Sequence, residues 1–119
     1  MDISEPRIKR DEILILEDKN FNPANVCIVT GAAMGIGRAT ALAAAANGLT
    51  AVGLDINETE GQKTVEMARN LGGRVVFIKT DLSSDTDMAG AVNEAAQIGT
   101  IKYLVNIAGL QHIDAIENF

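Results

Sequence analysis

The sequence predicts an α/β protein: a parallel sheet with helices wound onto its faces. Two observations carry that prediction. Short apolar runs rich in Val and Ile alternate with longer stretches whose apolar residues recur at helical spacing. The segments joining them are short, so each strand returns through a helix and pairs in parallel, by right-handed crossovers.

The elements follow in order. "VCIVT", residues 26–30, is a β-branched run typical of a buried strand and is closed by Gly31. "GIGRATALAAAANG", residues 35–48, reads as a helix with Gly48 just past its end. "TAVGLD", residues 50–55, is a second strand. In "ETEGQKTVEMARNLGG", Val65, Met67, Ala68 and Leu71 mark a second helix that stops at Gly72–Gly73. "RVVFIKTDL", residues 74–82, is a third strand, and "SSDTDMAGAVNEAAQIG" a third helix with Ser and Asp at its entrance. "IKYLVNIAG", residues 101–109, supplies a fourth strand. Residues 1–24 differ from all of this: they are charge-rich, with one apolar cluster, Ile13 to Leu16. They read as an N-terminal arm, or a short strand with a loop ending near Pro23, and the cluster is expected to dock on the domain.

Composition narrows the possible functions. The chain has 119 residues, enough for one domain, and 47% of them are hydrophobic. A net charge of −6 without a Lys/Arg run disfavours nucleic acid and anionic membranes as partners. The single cysteine, Cys27, permits no intrachain disulfide; in its apolar run it reads as a buried structural thiol in a reducing compartment, by default the cytoplasm. The charged N-terminus lacks an apolar signal core, and the longest small-apolar stretch, residues 41–56, is too interrupted to span a membrane. One histidine and one cysteine suggest no metal cluster.

Chemistry enters at the three glycines, Gly31, Gly35 and Gly37, between the first strand and the first helix. The leading amides of a helix lack partners and carry the positive end of its dipole, so a phosphate sits there favourably. Gly31 suits the tight turn, Gly35 lets backbone approach a pyrophosphate, and Gly37 allows close helix packing. Asp55 ends the second strand about 20 residues beyond the glycines, where a carboxylate can bond both ribose hydroxyls. It would repel a 2′-phosphate, which favours NAD over NADP. Met34 precedes Gly35 and offers no basic partner, while Arg38 on the first helical turn is either a phosphate partner or solvated. No Gly-Lys-Ser/Thr follows the turn, so a P-loop is excluded.

Thr30-Gly31-x-x-x-Gly35-x-Gly37 resembles the cofactor turn of the short-chain dehydrogenase/reductase family. "Thr80-Asp81-Leu82" is similar to that family's adenine-contacting element, and "Asn106-Ile107-Ala108-Gly109" to its Asn-Asn-Ala-Gly motif, with Ile107 replacing the second Asn. The resemblance implies a Rossmann-type doubly wound sheet, incomplete here, with about four strands in the order 3-2-1-4. It implies that Asn106 braces the sheet, that Ala108 and Gly109 run along a ribose, and that Asp81 and Leu82 contact adenine. Ile36 and Ile56 complete the expected NAD set of Thr30, Gly31, Gly35, Gly37, Asp55, Asp81, Leu82, Asn106, Ala108 and Gly109. The segment "AGLQHIDAIENF" resembles the corresponding stretch of D-3-hydroxybutyrate dehydrogenases, in which a glutamine at the position of Gln111 helps hold the substrate carboxylate. His112 reads as a loop or packing residue.

The family's catalytic tyrosine, with a lysine four residues later and a substrate-orienting serine, has no counterpart. The only tyrosine is Tyr103, and the residue four positions on is Ile107. Tyr103 therefore reads as a packing residue, and no catalytic residue is assigned. The expectation is an arm (1–24) and an NAD-binding half-domain (25–119) that stops before the catalytic segment. The whole protein is then an NAD-dependent oxidoreductase acting on a small hydroxy acid or alcohol, and a homo-oligomer when full length. The alternative is a non-catalytic NAD-binding or scaffold protein that naturally ends at Phe119, or a fragment that folds with another chain over its exposed sheet edge.

Overall fold

A computed structural model describes residues 8–107. Its strands are β1 (Asn25–Thr30), β2 (Thr50–Asp55), β3 (Arg74–Lys79) and β4 (Thr100–Asn106). Its helices are α1 (Gly35–Ala46), α2 (Glu58–Asn70) and α3 (Asp85–Ile98). The strands form one parallel sheet in the order β3-β2-β1-β4, as the resemblance implied.

The two faces of β1 divide the core. Cys27 and Val29 pack with Ala41, Leu42, Ala45 and Ala68 under α1 and α2, while Val26 and Ile28 pack with Ala91 and Ala95 under α3. Both faces of β1 and β2 are covered, which is why "VCIVT" and "TAVGL" read as continuous apolar runs and not as alternations. The small residues of α1 let it lie close on the sheet, and Leu42 fills the space they leave, with no exposed surface. Truncating it to Ala would cost about 2–5 kcal/mol.

β4 meets β1 through an irregularity. Val26 pairs with Ile101, yet Cys27 pairs with Tyr103, so Lys102 is an extra residue in β4. The bulge changes the phase of the strand. Ile101 packs on the α3 side, whereas Tyr103, Val105 and Ile107 pack on the α1–α2 side. Tyr103 sits in mid-strand with its ring edge-on to Phe21, centroids 5.8 Å apart. That is the packing role expected of it.

Residues 8–24 run along the end of the domain where the strands begin. Arg10 starts a single 3-10 turn (Arg10–Glu12), and its guanidinium donates to the Leu71 carbonyl (3.0 Å) beyond α2 and to that of Ala46 (3.4 Å) in α1. Asn47 accepts from the Leu16 amide (2.7 Å) and donates to the Leu14 carbonyl (3.0 Å). The Ile13–Leu16 stretch docks on the domain through its backbone and not through its apolar side chains. The stretch forms no strand, and Leu14, Ile15 and Leu16 are exposed. Backbone and polar groups hold this stretch, while Ile8 and Phe21 on either side of it pack against the α1–α2 face of the core.

Candidate functional site

The carboxyl ends of the four strands share one rim of the sheet, where β1 leads into the glycine turn. Gly31 takes φ 72° and Gly35 φ 58°, left-handed conformations that cost an L side chain about 1–2 kcal/mol. A Cβ on Gly35 would meet nothing, so the space in front of it is open. Gly37 faces inward: a Cβ there would run into the Gly31 carbonyl. Gly37 thus lets the helix close on its own turn, a refinement of the helix–strand packing expected of it.

The three helices begin differently. α2 is capped by Asn57, whose side chain accepts from the Glu60 amide, and α3 by Ser84, which accepts from the Asp87 amide. Both have two acidic residues in the first turn. α1 has Met34 at its N-cap position, with no side-chain cap and no acidic residue in its first turn. Its leading amides and the positive end of its dipole are arranged so that an anion could sit there.

Next to this turn lies Asp55, half-buried at the end of β2. Its Oδ2 accepts from the Ala33 amide (3.2 Å) and its Oδ1 from the Asn57 amide (3.0 Å). The carboxylate therefore ties the glycine turn to the start of α2. On the other side of β1, Thr30 donates to Asn106 Oδ1 (2.6 Å) and accepts from the Ile107 amide (3.0 Å), joining β1 to β4 at the rim. At the end of β3 the Thr80 amide donates to the Asp55 carbonyl (2.8 Å). Asp81 accepts from the Ser83 hydroxyl (2.6 Å) and amide (3.0 Å), and these bonds hold its carboxyl below the usual range.

The rim therefore gathers Thr30, Gly31, Gly35, Ile36, Gly37, Asp55, Ile56, Asp81, Leu82 and Asn106 from four strand ends. Ile36 and Ile56 are exposed there, at 75% and 57%, as apolar walls without a protein neighbour to cover them. Ala108, Gly109 and Gln111, with His112, lie outside the described residues. Arg38 departs from both sequence expectations. It is buried at 5% exposure, with Nη2 donating to Glu60 Oε2 (2.9 Å) and to the Glu60 carbonyl (3.0 Å). Sequence reasoning missed Thr64 and the Ala33 amide. Neither a threonine in mid-helix nor a backbone N–H carries a signal in spacing. Among the described residues no group of His, Cys, Asp and Glu is arranged to hold a metal ion. None of the described helices is long and apolar enough to cross a membrane.

A parallel sheet in the order 3-2-1-4, an uncapped helix behind a glycine turn and a carboxylate at the end of the second strand are the features of a Rossmann-like α/β fold. The family follows from comparison: residues 25–119 match the short chain dehydrogenase model, and the chain belongs to that family of oxidoreductases, which bind nicotinamide cofactors. Among similar proteins, the 3-hydroxyacyl-CoA dehydrogenase type-2 of Drosophila melanogaster is 38% identical over 85 residues, 71% of this chain and 32% of that protein. A short-chain dehydrogenase/reductase homolog of Bacillus subtilis, YusS, is 33% identical over 91 residues, 74% of this chain and 84% of that protein. The solved structure of NAD+-bound xylitol dehydrogenase superposes with a TM-score of 0.70 at 36% identity, over 78% of this chain and 36% of that one. The chain spans about a third of the length of most curated relatives it matches.

Proposed function

We infer that the chain is the NAD-binding portion of an oxidoreductase that moves hydride between NAD and a small hydroxy acid or alcohol. The observation that carries this reading is the pairing of an uncapped, acid-free α1 N-terminus with the Asp55 carboxylate beside it. Two features of the glycines support the reading: the space before Gly35 is open, and Gly31 and Gly35 take left-handed conformations that shape the turn.

In this reading the amides leading α1 hold the pyrophosphate and Asp55 accepts from the ribose hydroxyls. Ile56, Asp81 and Leu82 flank adenine, and Thr30 with Asn106 keeps the floor of the site rigid. Ala108 and Gly109 complete the ribose contact, and Gln111 reaches a substrate carboxylate such as that of 3-hydroxybutyrate. The cofactor supplies the hydride chemistry; the chain binds, orients and excludes water. As the family resemblance implies, a tyrosine–lysine pair handles the proton in the whole enzyme. NAD is favoured over NADP because Asp55 would repel a 2′-phosphate, and because the Arg38 guanidinium is committed to Glu60. The full-length enzyme is a cytoplasmic homo-oligomer in this proposal, with the arm and the nucleotide half as its first two parts.

Calorimetric titration of the chain with NAD and NADP tests the site. NAD should bind at least about tenfold more tightly, and Asp55→Ala should abolish the preference. Equal binding of both would sink the choice of cofactor. Oxidation of D-3-hydroxybutyrate and other hydroxy acids by full-length protein tests the reaction. A second reading, a non-catalytic NAD-binding or scaffold protein, draws on the Bacillus subtilis homolog, 84% of which this chain covers. It predicts NAD binding without reduction of NAD by any alcohol.

A further inference from the structure

Beneath the glycine turn, α2 contributes a side chain that the nucleotide reading does not use. Thr64 has no exposed surface, and its hydroxyl donates to the Ala32 carbonyl at 2.9 Å. Arg38 Nε donates to the same hydroxyl at 3.0 Å. The guanidinium is fixed in turn by Glu60, whose other oxygen accepts from Lys63 at 2.8 Å. The Ala32 carbonyl is the shortest acceptor for the one Thr64 proton, ahead of the Ala33 carbonyl (3.3 Å) and the Glu60 carbonyl (3.4 Å), and the hydroxyl oxygen accepts from Arg38.

The Ala32 carbonyl and the Ala33 amide belong to one peptide plane. The carbonyl end is held by Thr64 from α2, and the amide end by Asp55 Oδ2 from β2 at 3.2 Å. A plane gripped at both ends cannot rotate without breaking two hydrogen bonds, one of them fully buried. That plane lies between Gly31 and Gly35, so its direction sets the path of the turn. The same grip holds one oxygen of the Asp55 carboxylate.

We propose that Thr64, oriented by the Arg38–Glu60 pair, is a positioning residue that locks the Ala32–Ala33 peptide and thereby presets the nucleotide turn and the Asp55 carboxylate. The link to nucleotide affinity rests on the reading of the site as an NAD site; the clamp itself does not. In Thr64→Val the volume is kept and the hydroxyl removed, leaving Arg38 Nε and the Ala32 carbonyl without this partner. Thr64→Ser keeps the hydroxyl.

The test is amide hydrogen exchange, followed residue by residue by NMR on the whole chain, with NAD titrations of the same samples. In Thr64→Val the Ala33 amide should exchange about tenfold faster, while the Val52 amide in β2 stays within about twofold. Affinity for NAD should fall about five- to tenfold, and Thr64→Ser should restore both. The clamp is overturned if Ala33 exchange rises no more than that of Val52, or if Thr64→Ser behaves like Thr64→Val. Faster Ala33 exchange with unchanged NAD affinity overturns the presetting role. If the unsubstituted chain binds no NAD, the nucleotide reading fails, and the exchange pattern still decides the clamp.

Discussion

The same substitution, Gly→Ala, should have opposite signs at two helical positions of this chain. Gly37 is in the first turn of α1 and Gly90 lies within α3. In a helix interior Ala is better than Gly by about 0.5–1 kcal/mol, because Gly loses more backbone freedom on folding. A Cβ on Gly90 meets nothing, and the position is exposed, so Gly90→Ala should stabilise by about that amount. A Cβ on Gly37 would strike the Gly31 carbonyl, which is backbone and cannot swing aside like a side chain. The Gly31 amide is also bonded to the Leu54 carbonyl at 2.8 Å, so the turn cannot retreat without breaking its tie to β2. Overpacking of this kind costs about 1–3 kcal/mol or more, and the propensity gain is partial in a first turn, so the net loss should be about 1–2 kcal/mol. Urea unfolding of the three proteins reads the difference as a shift in midpoint at constant slope. A Gly37→Ala protein as stable as the parent would show that the close approach of helix and turn is not what requires glycine.

Thr30→Val should destabilise by about 1–3 kcal/mol, because it strips the partner from the half-buried Ile107 amide; Thr30→Ser should recover most of that in the same assay. The Glu60 carboxyl is held below its ordinary 4.5 by hydrogen bonds first from Lys63 and then from Arg38. Its contribution is therefore present above pH 4.5 and lost as pH falls through the lower folded value. The gap in urea midpoint between the parent and Glu60→Gln should be constant near neutrality and close in acid; a gap that widens in acid has the wrong sign. Burial pushes the Cys27 thiol up, so an aromatic disulfide reagent should label it at least about tenfold faster in urea than in the native chain.

Much of this architecture was legible because the residues had little choice. "VCIVT" and "TAVGLD" are covered on both faces, and that demand shows directly as unbroken apolar runs. Asp55 was legible because the length of a strand–helix–strand unit places it beside the glycines. Arg38 was not, because a cation in a first helical turn looks the same whether it faces water or a half-buried glutamate one helix away. How the arm docks was hidden for a related reason. Four consecutive apolar residues have no period, so nothing in Ile13–Leu16 distinguishes a docked face from a stretch held by its backbone through Asn47. The β4 bulge was hidden by regular alternation of half-buried and exposed residues, which disguises a change of face between Ile101 and Tyr103.

That bulge makes the edge strand insensitive to shortening at one point only. Lys102 has no partner of its own in the ladder with β1, since Ile101 and Tyr103 pair with the consecutive residues Val26 and Cys27. A chain lacking Lys102 would continue one-to-one from Val26 through Thr30, with Tyr103, Val105 and Asn106 still opposite the same neighbours. Removing any single residue from Leu104 to Asn106 instead shifts everything after it, and the bond from Thr30 to Asn106 loses its acceptor. Lys102 is exposed, and a bulge of this kind increases the local twist of its strand. Lys102 is thus superfluous to the pairing, whereas every residue after it is tied to the rim bond between Thr30 and Asn106.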